Sequence, residues 1–410
     1  MSGPMVDVKV VEIGVWVAGP AAAGILGDWG ADVIKIEPPE GDPCRQFHAM
    51  LGGDLPTNPA FELDNRSKRS ICLDLSKPAA REIALELIDQ ADVFVSNLRP
   101  GALERLGLDY ETLCARNERL IYASITGYGL DGDDRDRAAF DIGAYWARSG
   151  IASLLTPPGG LPPYQRGGMG DHPTGMSAAA AISAALFARE RTGKGQHVAT
   201  SLMRQGMYTV GFDLNFALGW GRVAAKATRE SMASPTINHY AASDGRRFWL
   251  IGLEGVRHWP SLARVVGHED WITDERFATP LARMQNAIVL TGLLDAAFAT
   301  KTFDVWALEF AKDPLIFWAP IQDVDEVIAD PQAWAAGGFV DVPTPDGSTT
   351  TMIATPVDFG GVPCVPRSLA PDLGEHTRAI LTELGHTEAS IDALYANGSA
   401  QTHKWFGEPN

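Results

Sequence analysis

One carboxylate in this sequence follows a run of glycines and precedes a helix-forming run of small residues. Asp171 comes directly after Gly167-Gly168-Met169-Gly170, and residues 177–186 are almost all alanine, serine, isoleucine or leucine. Pro173 suits a first helical turn, so we expect Asp171 and His172 at or just before the N-cap. The positive end of the helix dipole favours a charged carboxylate, and the glycines leave it open. We therefore expect Asp171 to stay ionised and reachable.

Two functions fit such an aspartate. The simpler interpretation is a helix N-cap, because Asp is among the best capping residues and most capping aspartates do nothing else. The alternative is a nucleophile that attacks a thioester carbonyl, giving a mixed anhydride and a thiolate while nearby backbone N–H groups hold the oxyanion. The local sequence alone favours the cap.

The elements around this turn alternate between strand and helix. Residues 8–13, 21–29 and 32–36 predict strand, helix and strand, and the alternation continues to residue 202, which indicates an α/β fold with a parallel sheet. The first loop, between the strand predicted over 8–13 and the helix predicted over 21–29, lacks the Gly-x-Gly-x-x-Gly pattern of dinucleotide sites. We predict a large domain over 1–202, a linker helix within 203–235, a smaller α+β domain over 236–335 and a return to the large domain over 336–410.

The composition of the chain argues against several classes of function. The 410 residues carry a net charge of −17, which argues against general nucleic-acid binding. No apolar run approaches the roughly 20 residues of a membrane span, and no signal peptide is visible. The four cysteines and nine histidines are scattered, so we expect no zinc site, no other metal site and no disulfide framework. These features predict a cytoplasmic protein with no membrane partner.

Basic and amide side chains follow several predicted strands. Ligands of open α/β sheets lie outside the carboxyl ends of the strands, where arginines suit the phosphates of a nucleotide-like ligand. About half of such residues are expected to be solvated surface charges. The residues concerned are Arg45, Arg66, Lys68, Arg69, Asn97, Arg99 and Arg105.

Taken together, short segments spread over nearly the whole chain resemble the class III (family III) CoA-transferases. This group includes formyl-CoA and carnitine CoA-transferases and the α-methylacyl-CoA racemases. The matching segments, in the family's order, are Ala18-Gly19-Pro20, Gly30 to Glu37, Asn65 to Ser70, Asn97 to Gly101, Gly170-Asp171, Thr192 to Gln196 and Pro371 to Thr377.

The resemblance implies a Rossmann-like large domain, a smaller domain and a homodimer of two interlocked chains. It places the family's nucleophile on Asp171, raising that interpretation above the cap, and a common acidic position on Asp141. It implies coenzyme A or acyl-CoA as a substrate, with no tightly bound cofactor, and a carboxylic acid as its partner. The residues implied in CoA binding are Val15, Trp16, Val17, Ala18, Arg45, Leu73, Asn97, Leu98, Arg99 and Arg105.

Transfer of this kind would proceed through an aspartyl anhydride and an aspartyl-CoA thioester on Asp171. Val15 and Val17 replace polar residues of the formyl-CoA enzyme, which favours an apolar acyl group. Residues 144–148 and 170–172 resemble those of transferases for 2-hydroxy or arylalkyl acids, so the resemblance implies an apolar or 2-hydroxy monocarboxylic acid. One alternative is an α-methylacyl-CoA racemase, but its His-Asp pair is Phe140-Asp141 here, and phenylalanine moves no proton. Another is a CoA-binding protein without turnover. The roles of Asp141, His172 and Glu254 stay open.

Overall fold

A computed structural model describes residues 3–47, 58–223, 226, 228–232, 234–362 and 364–402. Its strands are β1 (Lys9–Ile13), β2 (Asp32–Glu37), β3 (Arg69–Leu73), β4 (Val93–Ser96), β5 (Ile121–Thr126), β6 (Gln196–Ser201), β7 (Ile237–Ala241), β8 (Arg247–Ile251), β9 (Trp318–Pro320), β10 (Phe339–Pro343), β11 (Thr349–Ile353) and β12 (Ala400–Gln401).

The helices are mostly short, and the exception begins at the glycine-rich turn. They are α1 (Ala18–Asp28), α2 (Pro59–Asn65), α3 (Pro78–Asp89), α4 (Pro100–Leu106), α5 (Tyr110–Arg116), α6 (Ile151–Leu155), α7 (Asp171–Thr192), α8 (Leu202–Thr209), α9 (Gly211–Trp220), α10 (Gly255–Val265), α11 (Pro280–Gln285), α12 (Ala287–Phe298), α13 (Phe303–Phe310), α14 (Val324–Ala329), α15 (Pro331–Ala335), α16 (Thr377–Glu383) and α17 (Glu388–Ala396). A π-helical segment covers Ile142–Ala147.

The central sheet confirms the predicted α/β class. Its seven strands run in the order β12-β3-β2-β1-β4-β5-β6, and every pair is parallel except β12 with β3. The chain leaves β1 toward β2 on one side and later returns to β4 on the other. The carboxyl ends of β1 and β4 therefore flank the switch point where open α/β sheets bind ligands.

Each face of this sheet packs on its own buried cluster. On one face, α1 and α7 cover Val10, Val33 and Ile121. On the other, Ile83 of α3 and Ile380 of α16 pack against strand residues that include Phe94. Burial on both faces explains why the strands read as apolar runs.

Small residues let α1 and α7 approach closely. Every residue of α1 is buried. A Cβ added at Gly175 would lie 2.9 Å from the Ala21 Cβ and 3.0 Å from the Ala18 carbonyl oxygen. A side chain at residue 175 would push apart the two helices that begin at the first loop and at Asp171.

Contacts divide the chain into two compact units. One comprises Met1–Ser153, Pro163–Gly221 and Gln332–Asn410, and the other Leu154–Pro162 and Arg222–Pro331. The second unit has its own antiparallel sheet, in the order β7-β8-β9, and an aromatic core that includes Phe248, Trp259 and Trp306. The domain boundaries expected from sequence stay a prediction.

Two single-helix predictions are wrong. The sequence pattern predicts one helix over about 204–218, within the linker, and another over 282–298 in the smaller domain. The structure divides the first at Val210 into α8 and α9 and the second at Asn286 into α11 and α12. Both junctions leave the α region only slightly, so an apolar pattern that runs through them does not reveal the break. Among the described residues, no helix combines the length and apolar character needed to cross a membrane.

Replacement of Gly175 by alanine tests the close approach of α1 and α7. We expect Gly175→Ala to lower the free energy of unfolding by about 1–3 kcal/mol, because its Cβ overlaps atoms of α1. The matched control is Gly292→Ala in α12, where nothing lies within 4 Å of the added Cβ. It should stabilise by up to about 1 kcal/mol through helix propensity. Urea unfolding measures both; stabilisation by both substitutions would contradict the packing described.

Candidate active site

Asp171 is the first residue of α7, and the N-cap is Gly170. Gly170 already has helical backbone angles (φ −95°, ψ −31°), and no side chain caps the helix. Among the described residues, the Asp171 carboxylate has no hydrogen-bond partner. The prediction that Asp171 lies at or before the N-cap is therefore wrong by one residue, and a capping role does not account for this carboxylate.

The surroundings of Asp171 disfavour its charged form. Burial raises its pKa to about 7, helped by the like charges of Asp141 and Asp64, while His172 acts in the opposite direction. The expectation that the helix end keeps Asp171 fully ionised is corrected by this burial. A carboxyl group that is partly protonated near neutral pH is typical of a group tuned for chemistry.

Asp141 holds the turn that presents Asp171. Its Oδ2 accepts hydrogen bonds from Gln165 Nε2 at 2.8 Å and from the Gly170 backbone N–H at 3.1 Å. Asp141 is only 8% exposed. Gly170 packs on the Tyr145 ring so closely that a Cβ there would lie 2.4 Å from Tyr145 Cγ. Asp141, the acidic position implied by the family resemblance, is thus hydrogen-bonded to Gly170, the residue before Asp171.

His172 lies between the turn and a buried carboxylate. Its Nε2 lies 3.2 Å from Asp64 Oδ1, an ion-pair distance with poor hydrogen-bond alignment. The contact with Asp64 raises the pKa of His172, and the charges of Asp171 and Asp141 add to this effect. Gly168 has φ +73° and a Cβ there would meet the imidazole at 2.9 Å, so glycine is required on two grounds.

The first loop is clamped by side chains from two other segments. Asn97 Oδ1 accepts from the Val15 N–H at 2.9 Å, and Asn97 Nδ2 donates to the Val15 carbonyl at 2.7 Å. Asp42 Oδ1 accepts from the Trp16 N–H at 2.9 Å. Trp16 has φ +64°, which is uncommon for a bulky residue. These bonds hold a conformation that the loop would not prefer alone.

A buried charge network lies beneath this loop. Lys35 donates to Glu12 Oε1 at 2.7 Å and lies 3.0 Å from Asp42 Oδ2, and Lys68 donates to Glu12 Oε2 at 2.6 Å. The Glu12 and Lys side chains are fully buried. Burial opposes the charge of Glu12, but the two lysines outweigh it and hold the pKa of Glu12 below its usual value.

A cleft of about 530 Å³ opens at the carboxyl edge of the sheet. Its lining is mostly apolar and comes from the segments after β1, β2, β3 and β4. The lining residues are Ile13, Gly14, Val15, Ile36, Pro38, Pro39, Glu40, Leu73, Asp74, Leu75, Ser76, Leu98 and Leu106. Three residues implied in CoA binding, Val15, Leu73 and Leu98, therefore line one cleft at the switch point of the sheet.

The first loop connects this cleft to the glycine-rich turn before Asp171. Val15 lines the cleft, and the Ala18 carbonyl packs against Gly175, one helical turn beyond Asp171. Three extended residues span at most about 11 Å. Trp16 and Val17 lie half-buried between these two points.

The basic residues predicted at the strand ends have different environments. Arg45 forms a bidentate pair with Glu37, donates to the Pro371 carbonyl at 3.0 Å and lies over the Phe61 ring. The Arg45 guanidinium therefore binds other groups of the protein. Arg99, the N-cap of α4, and Arg105, in its last turn, are exposed, and Arg99 Nη1 donates to the Asp136 carbonyl at 3.3 Å.

Three other basic residues are neither ligands in a cleft nor plain surface charges. Arg66 pairs with buried Asp28, Lys68 belongs to the charge network, and Arg69 binds Asp32 and Glu383. Arg66 and Lys68 are not solvated surface charges, because acidic partners lie opposite them in the fold.

Sequence reasoning did not find Asp64, Gln165 or Asp42 as parts of the site. Asp64 contacts His172, Asp42 contacts the first loop and Gln165 contacts Asp141, and no local motif marks any of the three. Among the residues the structure describes, no group of three or more His, Cys, Asp or Glu side chains is arranged to hold a metal ion.

Stability at different pH values tests the environment of Asp171. A carboxyl with a folded pKa of about 7 and an unfolded value near 3.8 destabilises the native state increasingly between these values. Asp171→Asn carries no charge, so we expect little stabilisation at pH 4 and about 2–4 kcal/mol at pH 8. Urea unfolding at both pH values measures this. Asp133→Asn, in an exposed loop, is the control; an equal effect of both substitutions would contradict the assignment.

Comparisons with known proteins agree on one family. A sequence profile described as CoA-transferase family III matches residues 5–377. The (R)-2-hydroxy-4-methylpentanoate CoA-transferase of Clostridioides difficile is 33% identical, over 94% of this chain and 96% of its own. The succinate–glutarate CoA-transferase of Agrobacterium fabrum is 32% identical, over 93% and 96%.

Solved structures give the same result. The crystal structure of a CAIB/BAIF family protein from Brucella suis superimposes with a TM-score of 0.80 at 34% identity, covering 94% of this chain and all of the other. The profile match spans nearly the whole chain, including the glycine-rich turn, the first loop and the cleft. The chain belongs to CoA-transferase family III and is an enzyme of that class.

Proposed function

We propose that this enzyme transfers CoA from an acyl-CoA to a carboxylic acid through covalent intermediates on Asp171. The observation that carries the proposal is the Asp171 carboxylate itself. It begins a 22-residue helix, has no hydrogen-bond partner among the described residues, and has a pKa raised to about 7 by burial. A carboxylate that lacks stabilising partners is a better nucleophile than one held by hydrogen bonds.

The first half-reaction moves CoA onto the enzyme. An Asp171 oxygen attacks the thioester carbonyl carbon, the C–S bond breaks, and CoA leaves as the thiolate. The thiolate then attacks Asp171 Cγ, and the bond from Cγ to the bridging oxygen breaks. The donor acid departs with that oxygen, leaving an aspartyl-CoA thioester.

The second half-reaction reverses these steps with the acceptor. The acceptor carboxylate attacks Asp171 Cγ and releases the thiolate, which then attacks the acceptor acyl carbon. The product acyl-CoA forms, and one acceptor oxygen remains on Asp171.

The cleft is the proposed site for the nucleotide end of CoA. Its apolar lining suits an adenine ring, and its position at the sheet's switch point is typical of nucleotide-like ligands. Exposed Arg99 and Arg105 on α4 could reach phosphates outside the cleft. The pantetheine arm would then follow Val15 to Ala18 toward Asp171. Arg45 and Asn97 would act indirectly, by holding the cleft wall and the first loop.

Charges near Asp171 support a monocarboxylic acyl group. Asp141 and Asp64 both act on Asp171 electrostatically, and a second substrate carboxylate would be repelled by them. Trp16 and Phe140 meet edge to face at 5.5 Å, and Phe140 is 58% exposed, which gives an apolar wall. The two relatives named above act on different acids, one a branched 2-hydroxy acid and the other dicarboxylates. We favour an apolar or 2-hydroxy monocarboxylic acid.

A homodimer is also proposed. Helix α9 has no buried residue although six of its ten residues are apolar. Phe212, Leu218 and Trp220 are all at least 70% exposed, and Tyr208 of α8 continues the patch. An exposed apolar helix of this size is characteristic of an interface. A second copy of the chain is the occupant that the family resemblance implies.

Neither alternative function is favoured. The relatives named above are CoA-transferases, and Phe140 offers no base at the position where the racemases carry histidine.

Trapping the intermediate tests the proposed function. The enzyme is incubated with a panel of branched, aryl and dicarboxylic acyl-CoAs, treated with hydroxylamine and analysed by intact and peptide mass spectrometry. We expect a hydroxylamine-sensitive adduct and a hydroxamate at Asp171, because anhydride and thioester are both cleaved by this nucleophile. Asp171→Ala should form neither.

Asp133→Ala in an exposed loop is the control for loss of a carboxylate and should retain the adduct. A hydroxamate at Asp141 instead, or an adduct that persists in Asp171→Ala, would refute Asp171 as the nucleophile. A preference for dicarboxylic acyl-CoAs would refute the proposed acyl class alone.

A further inference from the structure

Beside Asp171, the chain places a histidine whose position is fixed from two sides. Gly168 lies against one part of the imidazole, where only a residue without Cβ fits. Asp64, at the end of α2, lies 3.2 Å from Nε2 on another side. Asp64 is buried, and its side chain is 5% exposed. The imidazole therefore lies between Gly168 and Asp64, beside Asp171 in sequence, while its side chain stays 44% exposed.

We propose that His172, anchored by Asp64, is a positioning residue that supplies the positive charge keeping the Asp171 carboxylate ionised for attack. This inference rests on the proposed function and deepens it. His172 is next to Asp171 in the first turn of α7, and its charge lowers the pKa of that carboxylate. Asp64 lies against the imidazole and raises the pKa of His172, which favours the protonated ring.

The charges around the pair can be named from every packed element. Asp141 faces both Asp171 and His172 from the segment before the π-helical turn. Asp64 faces them from α2; burial raises its pKa, and the contact with His172 and the charge of Lys68 act in the opposite direction. His172 is thus the positive group among three carboxylates. Without it, Asp171 would face burial and two like charges.

The direction of the effect follows from these charges. The contact with Asp64, together with Asp171 and Asp141, raises the pKa of His172 and so favours the charged ring. That charge lowers the pKa of Asp171, against burial and Asp141. Because the two groups interact, they titrate as a pair, and the acid limb of the rate profile belongs to the pair.

The test is the pH profile of adduct formation, measured by rapid quench and intact mass from pH 5 to 9. We expect His172→Gln to move the acid-limb midpoint upward by about one pH unit, which gives a roughly tenfold slower reaction on that limb. The high-pH plateau should stay within about threefold of the original. His172→Lys, which restores the charge, should return the midpoint toward its original value.

A purely structural role predicts a different pattern. It would lower the plateau without moving the midpoint, and glutamine would be tolerated better than lysine. Either result would overturn the inference. His386→Gln is the matched control, because His386 Nε2 also pairs with a carboxylate, Glu86, at 2.9 Å but lies on α16's C-terminal side, near α3. It should leave the midpoint unchanged.

A second readout does not depend on turnover. NMR titration of the His172 imidazole should show that its pKa falls in Asp171→Asn, since the coupling is reciprocal. An unchanged His172 titration would refute the coupling. If no adduct forms at any pH, the proposed function fails while this titration still decides the inference. If the adduct forms but the midpoint of His172→Gln does not move, only the inference fails.

Discussion

The Glu12 carboxylate accepts a hydrogen bond from Lys35 through one oxygen and from Lys68 through the other, with no solvent access to any of the three. Removing one member of such a group leaves an unpaired buried charge, which costs about 3–5 kcal/mol. The same lysines also donate to the carbonyls of Gly14 and Pro20. Gly14 is the first residue of the first loop and Pro20 lies in the first turn of α1, so the network holds the chain on both sides of this loop.

Fixing the first loop has consequences for both parts of the site. Asn97 and Asp42 can then hold Val15 and the unusual backbone of Trp16. The loop leads into α1, whose small residues allow α7 to pack closely at Gly175. Asp171 begins that second helix. One series of contacts, which begins at the buried Glu12, Lys35 and Lys68 side chains, therefore sets the distance between the cleft and the Asp171 carboxylate.

Much of the fold could be predicted from the sequence, because local patterns determine it. The strands predicted over 8–13 and 32–36 lie within one residue of β1 and β2, and Gly193, where φ is +71°, caps the C-terminal end of α7. The site was only partly predictable. Asp171 could be identified because it follows a glycine-rich segment. Asp64, which contacts the neighbouring His172, lies far earlier in the chain. Arg45 and Arg66 were expected to face phosphates because their partners, Glu37 and Asp28, become neighbours only on folding. The pKa of Asp171 depends on burial, which sequence does not give.

Oxygen transfer tests the central claim most directly. In a single turnover, the enzyme is given an unlabelled acyl-CoA donor and an acceptor acid with ¹⁸O in both carboxylate oxygens. If Asp171 carries the intermediates, one labelled oxygen remains on its carboxylate, the peptide containing Asp171 gains about 2 Da, and the released donor acid is unlabelled. If the acceptor attacks the donor thioester directly, the label appears in the donor acid and not in the protein. That second result would contradict the account.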